Sequence, residues 1–125
     1  MSLILADSSV WLDHLRSNDP VMDQLAVEER LLMHTYVIGE LSLGNLANRP
    51  AFLSRLRQID AIIKARDDDV FNLIETQRLS GSGIGWVDAH LLTSVVLAGD
   101  VKLWTRDRRL NAAAERLGRA AQLHH

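Results

Sequence analysis

The sequence predicts an α/β fold: a short parallel sheet of four to five strands flanked by helices on both faces. Three observations predict it. Short apolar runs of strand length, Leu3-Ile4-Leu5-Ala6, Leu31-Leu32-Met33-His34 and Val101-Lys102-Leu103-Trp104-Thr105, each give way to a helix-like pattern. One helix, opening near Trp86, is apolar nearly all round (Val87, Ala89, Leu91, Leu92, Val95, Val96, Leu97), which marks a buried element rather than a surface amphipath. No internal repeat or low-complexity linker interrupts the alternation of strands and helices.

The remaining properties bound the class of protein. A chain of 125 residues is long enough for a real core and short enough for one domain. The formal net charge of -2 draws the chain neither to nucleic acid nor to a membrane surface, so any nucleic-acid contact has to come from local patches or bound cations. With no cysteine there is no disulfide and no thiolate zinc site. Only six residues precede Asp7, too few for the apolar part of a signal peptide, and no apolar run reaches membrane-spanning length. A cytoplasmic protein is expected. The closing pair His124-His125 carries no weight in this reading.

In order along the chain, Asp7 follows the first strand and precedes Val10, Trp11, Leu12 and Leu15 at helical spacing. Two readings stand for it. An Asp there caps the helix, and an Asp at the carboxyl end of a strand also lies where open α/β sheets place their sites. For a single such residue capping is the stronger of the two. Asp19-Pro20 starts a second helix as N-cap and first helical residue. His34, ending the second strand, reads as a packed or surface histidine, because no second His is spaced to join it. A helix over 36–46 carries Glu40, whose neighbours one turn away are Tyr36, Val37, Leu43 and Gly44. Glu40 therefore lies on or beside the apolar stripe, either snorkelling to water or facing a polar pocket.

A further helix is predicted over 51–63. The triplet Asp67-Asp68-Asp69 looks like a metal box but is more simply an N-cap and acidic first turn, since consecutive helical residues diverge. The loop Ser80-Gly81-Ser82-Gly83-Ile84-Gly85 lacks the lysine and spacing of a phosphate loop and serves as the turn into the apolar helix. In that helix's first turn Asp88 shares a face with Leu91, Leu92 and Val95, an inward or pocket-facing acid, while His90 lies on a different face. After the strand at 101–105, Asp107 opens the last helix (Leu110, Ala113, Ala114, Leu117), which Gly118 stops, and 120–123 adds a last strand.

Four of the 16 acids thus form a candidate set: Asp7 and Asp107 just past strands, Glu40 and Asp88 on helices. Parallel strands joined by right-handed crossovers point their carboxyl ends at one edge, so these acids can converge there. Carboxylates about 5 Å apart repel by about 3 kcal/mol per pair at an effective dielectric near 20, so such a cluster holds protons or cations. With neither Cys nor paired His, the donors are hard oxygens that suit Mg²⁺ or Mn²⁺. The fitting substrate is a phosphate ester, and the fitting reaction phosphodiester hydrolysis. Arg16, Arg106, Arg108 and Arg109 lie close enough along the chain to meet RNA phosphates, although each singly also reads as a solvated helix residue.

The segments Asp7-Ser8-Ser9-Val10-Trp11-Leu12, Glu40 in its small helix, Gly83-Ile84-Gly85-Trp86-Val87-Asp88-Ala89-His90-Leu91-Leu92 and Leu103-Trp104-Thr105-Arg106-Asp107 resemble the PIN-domain ribonucleases. Among these the chain is similar to the VapC-type toxins of toxin–antitoxin pairs. The resemblance spans the chain in length and order, with its late segment the most specific and its middle, 50–80, the least. It implies one PIN-like three-layer domain over 1–125 and a Mg²⁺- or Mn²⁺-dependent endoribonuclease acting on RNA. It also implies a homodimer, and a VapB-type antitoxin whose tail covers the acidic groove. Asp7, Glu40, Asp88 and Asp107 match the family's acidic quartet as catalytic residues and metal ligands. Ser8 stands where many relatives carry threonine, and with Thr105 it supplies hydroxyls suited to orienting carboxylates or a bound water.

Other functional classes fit the residues less well. A non-catalytic, Mg²⁺-binding receiver module wants adjacent acids after its first strand and a late lysine, whereas serines follow Asp7 and Arg106 follows Thr105. A haloacid-dehalogenase-like phosphatase wants an Asp where Ser9 stands. A PIN-like fold kept only for binding would have no need of all four acids.

Overall fold

The computed structural model describes residues 1–123, so His124 and His125 lie outside the described part. Three strands, β1 (Leu3–Ala6), β2 (Leu31–Leu32) and β3 (Val101–Trp104), form a parallel sheet in the order β2-β1-β3. Ile4 and Leu5 pair with Leu31 and Leu32, while the four residues of β1 pair with the four of β3. Successive strand residues point to opposite faces. Ile4, Leu5 and Ala6 are all buried, so both faces of the central strand are covered, as its unbroken apolar sequence requires.

Seven helices flank the sheet among the described residues: α1 (Ser8–Arg16), α2 (Pro20–Val27), α3 (Thr35–Ser42), α4 (Arg49–Gln58), α5 (Asp67–Thr76), α6 (Trp86–Ala98) and α7 (Arg108–Arg116). α1 packs on β1 and α3, α6 on β3 and α5, and α7 on β3. The middle of the apolar helix behaves as its composition demands, with all seven residues from Ala89 to Val95 buried, while Trp86 and Leu97 at its two ends are 42% and 48% exposed. Val10, Leu92, Val95, Leu103, Leu110 and Ala114 have no exposure and form the centre of the core with Leu5 and Ala6. No helix among the described residues is long and apolar enough to cross a membrane.

Four expectations are corrected. The sheet has three strands rather than four to five. Its outer positions hold single bridges, Met33 to Ala61 and Leu103 to Ala120, where the chain touches the sheet for one residue before turning away. The segment 120–123 is accordingly no strand. The helix predicted over 36–46 ends at Ser42; its buried residues are Val37 and Leu41, while Leu43 is 89% exposed and Glu40 is itself exposed. The helix predicted over 51–63 ends at Gln58. Beyond it the backbone becomes extended, and the Asp60 carbonyl and Ile62 N–H bond Met33.

Two glycines occupy positions that only glycine fills cheaply. Gly83 has φ +85°, a backbone conformation that strains any other residue, and a Cβ there would lie 2.7 Å from Cδ of Arg109 and push that side chain aside. Gly118, with φ +70°, ends the chain segment after α7 in the left-handed region.

Candidate acidic active site

The hydrogen bond from the Asp7 N–H to the Trp104 carbonyl, 3.0 Å, carries the β1–β3 ladder to the carboxyl edge of the sheet. Beyond that point each strand turns into a helix through an aspartate. Asp7 caps α1, its Oδ1 accepting from the Val10 N–H at 3.3 Å. Asp107 caps α7, its Oδ1 accepting from the Leu110 N–H at 2.9 Å. Capping and site placement are therefore one geometry here, because the residue that ends the strand must also satisfy the helix's first amides.

Hydroxyls knit the two junctions together. Thr105 Oγ1 donates to Asp7 Oδ2 at 2.5 Å and accepts from the Asp107 N–H at 3.0 Å. Ser9 Oγ donates to Asp7 Oδ1 at 2.5 Å and accepts from the Arg106 N–H at 2.9 Å. Asp7 is 5% exposed, so its two oxygens depend on these three donors. Ser9 was not singled out in the sequence. The available signal is its place two residues after an N-cap aspartate, where a helical hydroxyl can reach back.

Asp88 is the third residue of α6, half-buried, with Oδ2 accepting from the Gly85 N–H at 3.1 Å. Its carboxyl is pushed above the ordinary value of 3.8, first by burial and then by the negative charges of Asp107 and Asp7, against the lowering effect of the Gly85 amide. The fold thus sets Asp7, Asp88 and Asp107 within electrostatic reach of one another. Glu40 joins by a different route: Ser8, beside Asp7, donates to its Oε1 at 3.0 Å.

The expected basic residues divide. The Arg106 guanidinium bonds Asp13 at 3.1 Å and Asp19 at 3.0 Å and lies 5.3 Å from the Trp104 ring centre, tying the β3–α7 turn to α1 and α2. Its fork is engaged by these two carboxylates. Arg16 and Arg108 are exposed, and Arg109 lies across Gly83. The triplet 67–69 forms the acidic first turn of α5, with Asp69 Oδ2 accepting from the Arg66 N–H at 3.1 Å.

The donor set fits a hard divalent cation. Asp88 Oδ1, Asp107 Oδ2 and Glu40 Oε2 accept no hydrogen bond from the described residues, and a cation would relieve the repulsion that raises Asp88. Among the described residues no three His, Asp or Glu side chains are already close enough to chelate one ion. An ion such as Mg²⁺, which keeps several waters and takes one or two protein carboxylates, matches that spacing better than a fully protein-caged ion.

Comparison with known proteins gives the same family as the motifs. No family model matches the chain. Ribonuclease VapC32 of Mycobacterium tuberculosis, in strains CDC 1551 / Oshkosh and ATCC 25618 / H37Rv, is 42% identical over 116 residues, covering 93% of this chain and 94% of the relative. The crystal structure of PAE2754 from Pyrobaculum aerophilum superposes with a TM-score of 0.59 at 18% identity, over 91% of this chain and 81% of that one, a likeness of fold. A parallel sheet edged by capping aspartates, with sequence identity at this level over nearly the whole chain, means that this protein belongs to the VapC family of toxin ribonucleases and has their PIN-like α/β fold.

Proposed function

We propose that the chain is an endoribonuclease toxin, and that Asp7, Glu40, Asp88 and Asp107 form its active site with Mg²⁺ or Mn²⁺. The observation that supports this reading is the pair of junctions at the carboxyl edge of the parallel sheet, where Asp7 and Asp107 cap α1 and α7 and are linked through Thr105, and where Ser8, next to Asp7, bonds Glu40. A bound divalent cation supplies Lewis acidity and charge neutralisation toward a phosphodiester and water. The protein's own contribution is pre-organisation. Thr105 and Ser9 hold both oxygens of Asp7, Ser8 holds one oxygen of Glu40, and the Gly85 amide holds one oxygen of Asp88. Each of Glu40, Asp88 and Asp107 keeps its second oxygen for the ion or its waters. Asp7 is the anchored member and the other three present open oxygens.

RNA is the proposed substrate, with the exposed Arg16 and Arg108 as phosphate contacts. A VapB-type antitoxin is the proposed partner, a homodimer the proposed assembly, residues 1–125 one domain, and the cytoplasm the proposed location. The competing reading is a non-catalytic, acidic Mg²⁺-binding module. One experiment separates them. Purified protein is titrated with Mn²⁺ and incubated with structured RNAs with and without chelator. Metal binding with chelator-sensitive cleavage that Asp88→Asn abolishes is the expected result. Binding without cleavage leaves the second reading, and neither binding nor cleavage overturns both.

A further inference from the structure

The acid opening α5 and the histidine two residues beyond Asp88 take no part in the carboxylate edge, yet the fold joins them. His90 has no exposure, and its Nε2 lies 3.0 Å from Oδ1 of Asp67, the first residue of α5. The same ring meets Tyr36 of α3 edge-on, with centroids 5.0 Å apart at 68°, and Trp86 of its own helix at 4.9 Å and 84°. One imidazole is thus the meeting point of three helices. Two of them carry acids of the proposed site. Tyr36 is one turn before Glu40 on α3, and His90 is two residues after Asp88 on α6.

Apolar packing alone does not account for a histidine there. His90 Nδ1 is buried without a hydrogen-bond partner among the described residues, a cost in free energy that a leucine or phenylalanine would avoid. The imidazole provides direction in return. A dispersion contact lets one helix slide along another by a fraction of an ångström, whereas a hydrogen bond is restricted in angle and edge-to-face rings in relative tilt. The side chains that hold an ion are oriented by the partners behind them, so the placement of their helices matters to the site. A device that fixes α6 against both α3 and α5 is therefore a device that fixes Asp88 relative to Glu40.

We infer that His90, held in its orientation by Asp67, is a positioning residue for the acidic site, setting the first turn of α6 against α3. The inference rests on the acid-site reading above. Its test uses Asp67, whose side chain is 70% exposed and whose replacement leaves the core intact. Asp67→Ala removes both the charge and the acceptor, while Asp67→Asn removes the charge and keeps an oxygen for the Nε2–H. Mn²⁺ affinity by calorimetric titration, RNA cleavage at saturating Mn²⁺ and thermal melting are measured on the full chain.

Asp67→Ala is expected to weaken Mn²⁺ binding about 3- to 10-fold, less than the roughly 10–100-fold that direct outer partners of metal ligands cost, because Asp67 acts through His90. Asp67→Asn is expected to recover most of that loss, and His90→Phe to match Asp67→Ala with no further loss in the double variant. If His90→Phe does not fold, the two Asp67 variants decide alone. Melting shifts with wild-type affinity and cleavage in all variants would overturn the inference, leaving the pair purely structural. A wild-type protein that binds no Mn²⁺ and cuts no RNA would instead remove the acid-site reading itself, and the positioning role with it.

Discussion

The β1–α1 and β3–α7 junctions have the same local design and opposite exposures. Each ends a buried strand, places an aspartate at the N-cap and turns into a helix. Asp7 is buried and receives three hydrogen bonds, from Ser9, Val10 and Thr105. Asp107 is exposed and receives one side-chain bond, from the Leu110 N–H. The difference arises from position in the sheet. β1 is central, so its carboxyl end is enclosed by its neighbours, whereas β3 lies beside it and its terminal turn faces outward. One motif therefore yields a fixed carboxylate and an open one. A site that must hold a cation without collapsing around it needs both kinds.

The sharpest way to break this comparison is to remove each aspartate and compare the damage. Asp7→Ala is expected to reduce cleavage by at least about 100-fold, since even outer partners of metal ligands cost 10–100-fold. It is also expected to cost about 1–3 kcal/mol of stability, because it strips a cap and orphans the Thr105 hydroxyl. Asp107→Ala is expected to match it in cleavage while costing only about 1 kcal/mol, the loss of an exposed cap. Denaturant melts and cleavage rates check both, and equal stability losses would erase the distinction between the junctions.

Thr105→Val tests the link between them. It keeps the shape but removes the donor to Asp7 and the acceptor for the Asp107 amide, with an expected loss of about 1.5–3 kcal/mol and of about 10-fold or more in cleavage. Ser9→Ala is expected to do less on both measures, because the Val10 amide still holds Asp7 Oδ1. A Ser9→Ala effect larger than that of Thr105→Val would reverse the assignment of the main brace.

A smaller effect concerns pH. The folded state raises the Asp88 carboxyl, so it binds that proton more tightly than the unfolded chain does. Its penalty on stability is absent below the ordinary value of 3.8, grows as pH rises and is complete above the raised folded value. Melts of the metal-free protein across that window should therefore show Asp88→Asn gaining on the wild type as pH rises. Added Mg²⁺ should narrow the gap. A constant difference would mean that burial and the neighbouring Asp107 and Asp7 do not raise the Asp88 carboxyl.

His34 has the opposite sign. Burial, and then the charges of His90 and Lys64, lower it from 6.5 to about 4. Its contribution is complete above 6.5 and is lost as pH falls toward 4, so part of the acid instability of the wild type in that interval should vanish in His34→Asn.

Most of the strand and helix order was legible because it is local. Leu3 to Ala6 is apolar without interruption, Asp19-Pro20 carries its own start signal, and a helix apolar on every side has to be buried. The candidate acids Asp7 and Asp107 were legible for the same reason, each lying between a strand pattern and a helix pattern. In the sequence Glu40 lies on or beside an apolar stripe, because Tyr36 and Val37 precede it and Leu43 and Gly44 follow it at helical spacing. The helix instead stops at Ser42, and the chain, not the helix, carries Leu43 into solvent. The pairing of Arg106 with Asp13 and Asp19 was not legible, since nothing local shows that they reach it.

The chain by itself determined which residues end strands, cap helices and fill the core, because hydrophobic period and capping chemistry act over a few residues. It also determined the kind of donor available to an ion, because composition leaves only hard oxygens. Tertiary structure alone decided which carboxylate is enclosed and which is open, that Thr105 bonds an aspartate 98 positions away, and that a buried imidazole joins Asp67 to the helix of Asp88. Those pairings rest on strand order and helix packing, and hydrogen bonds form only when the whole core has brought their partners within about 3 Å.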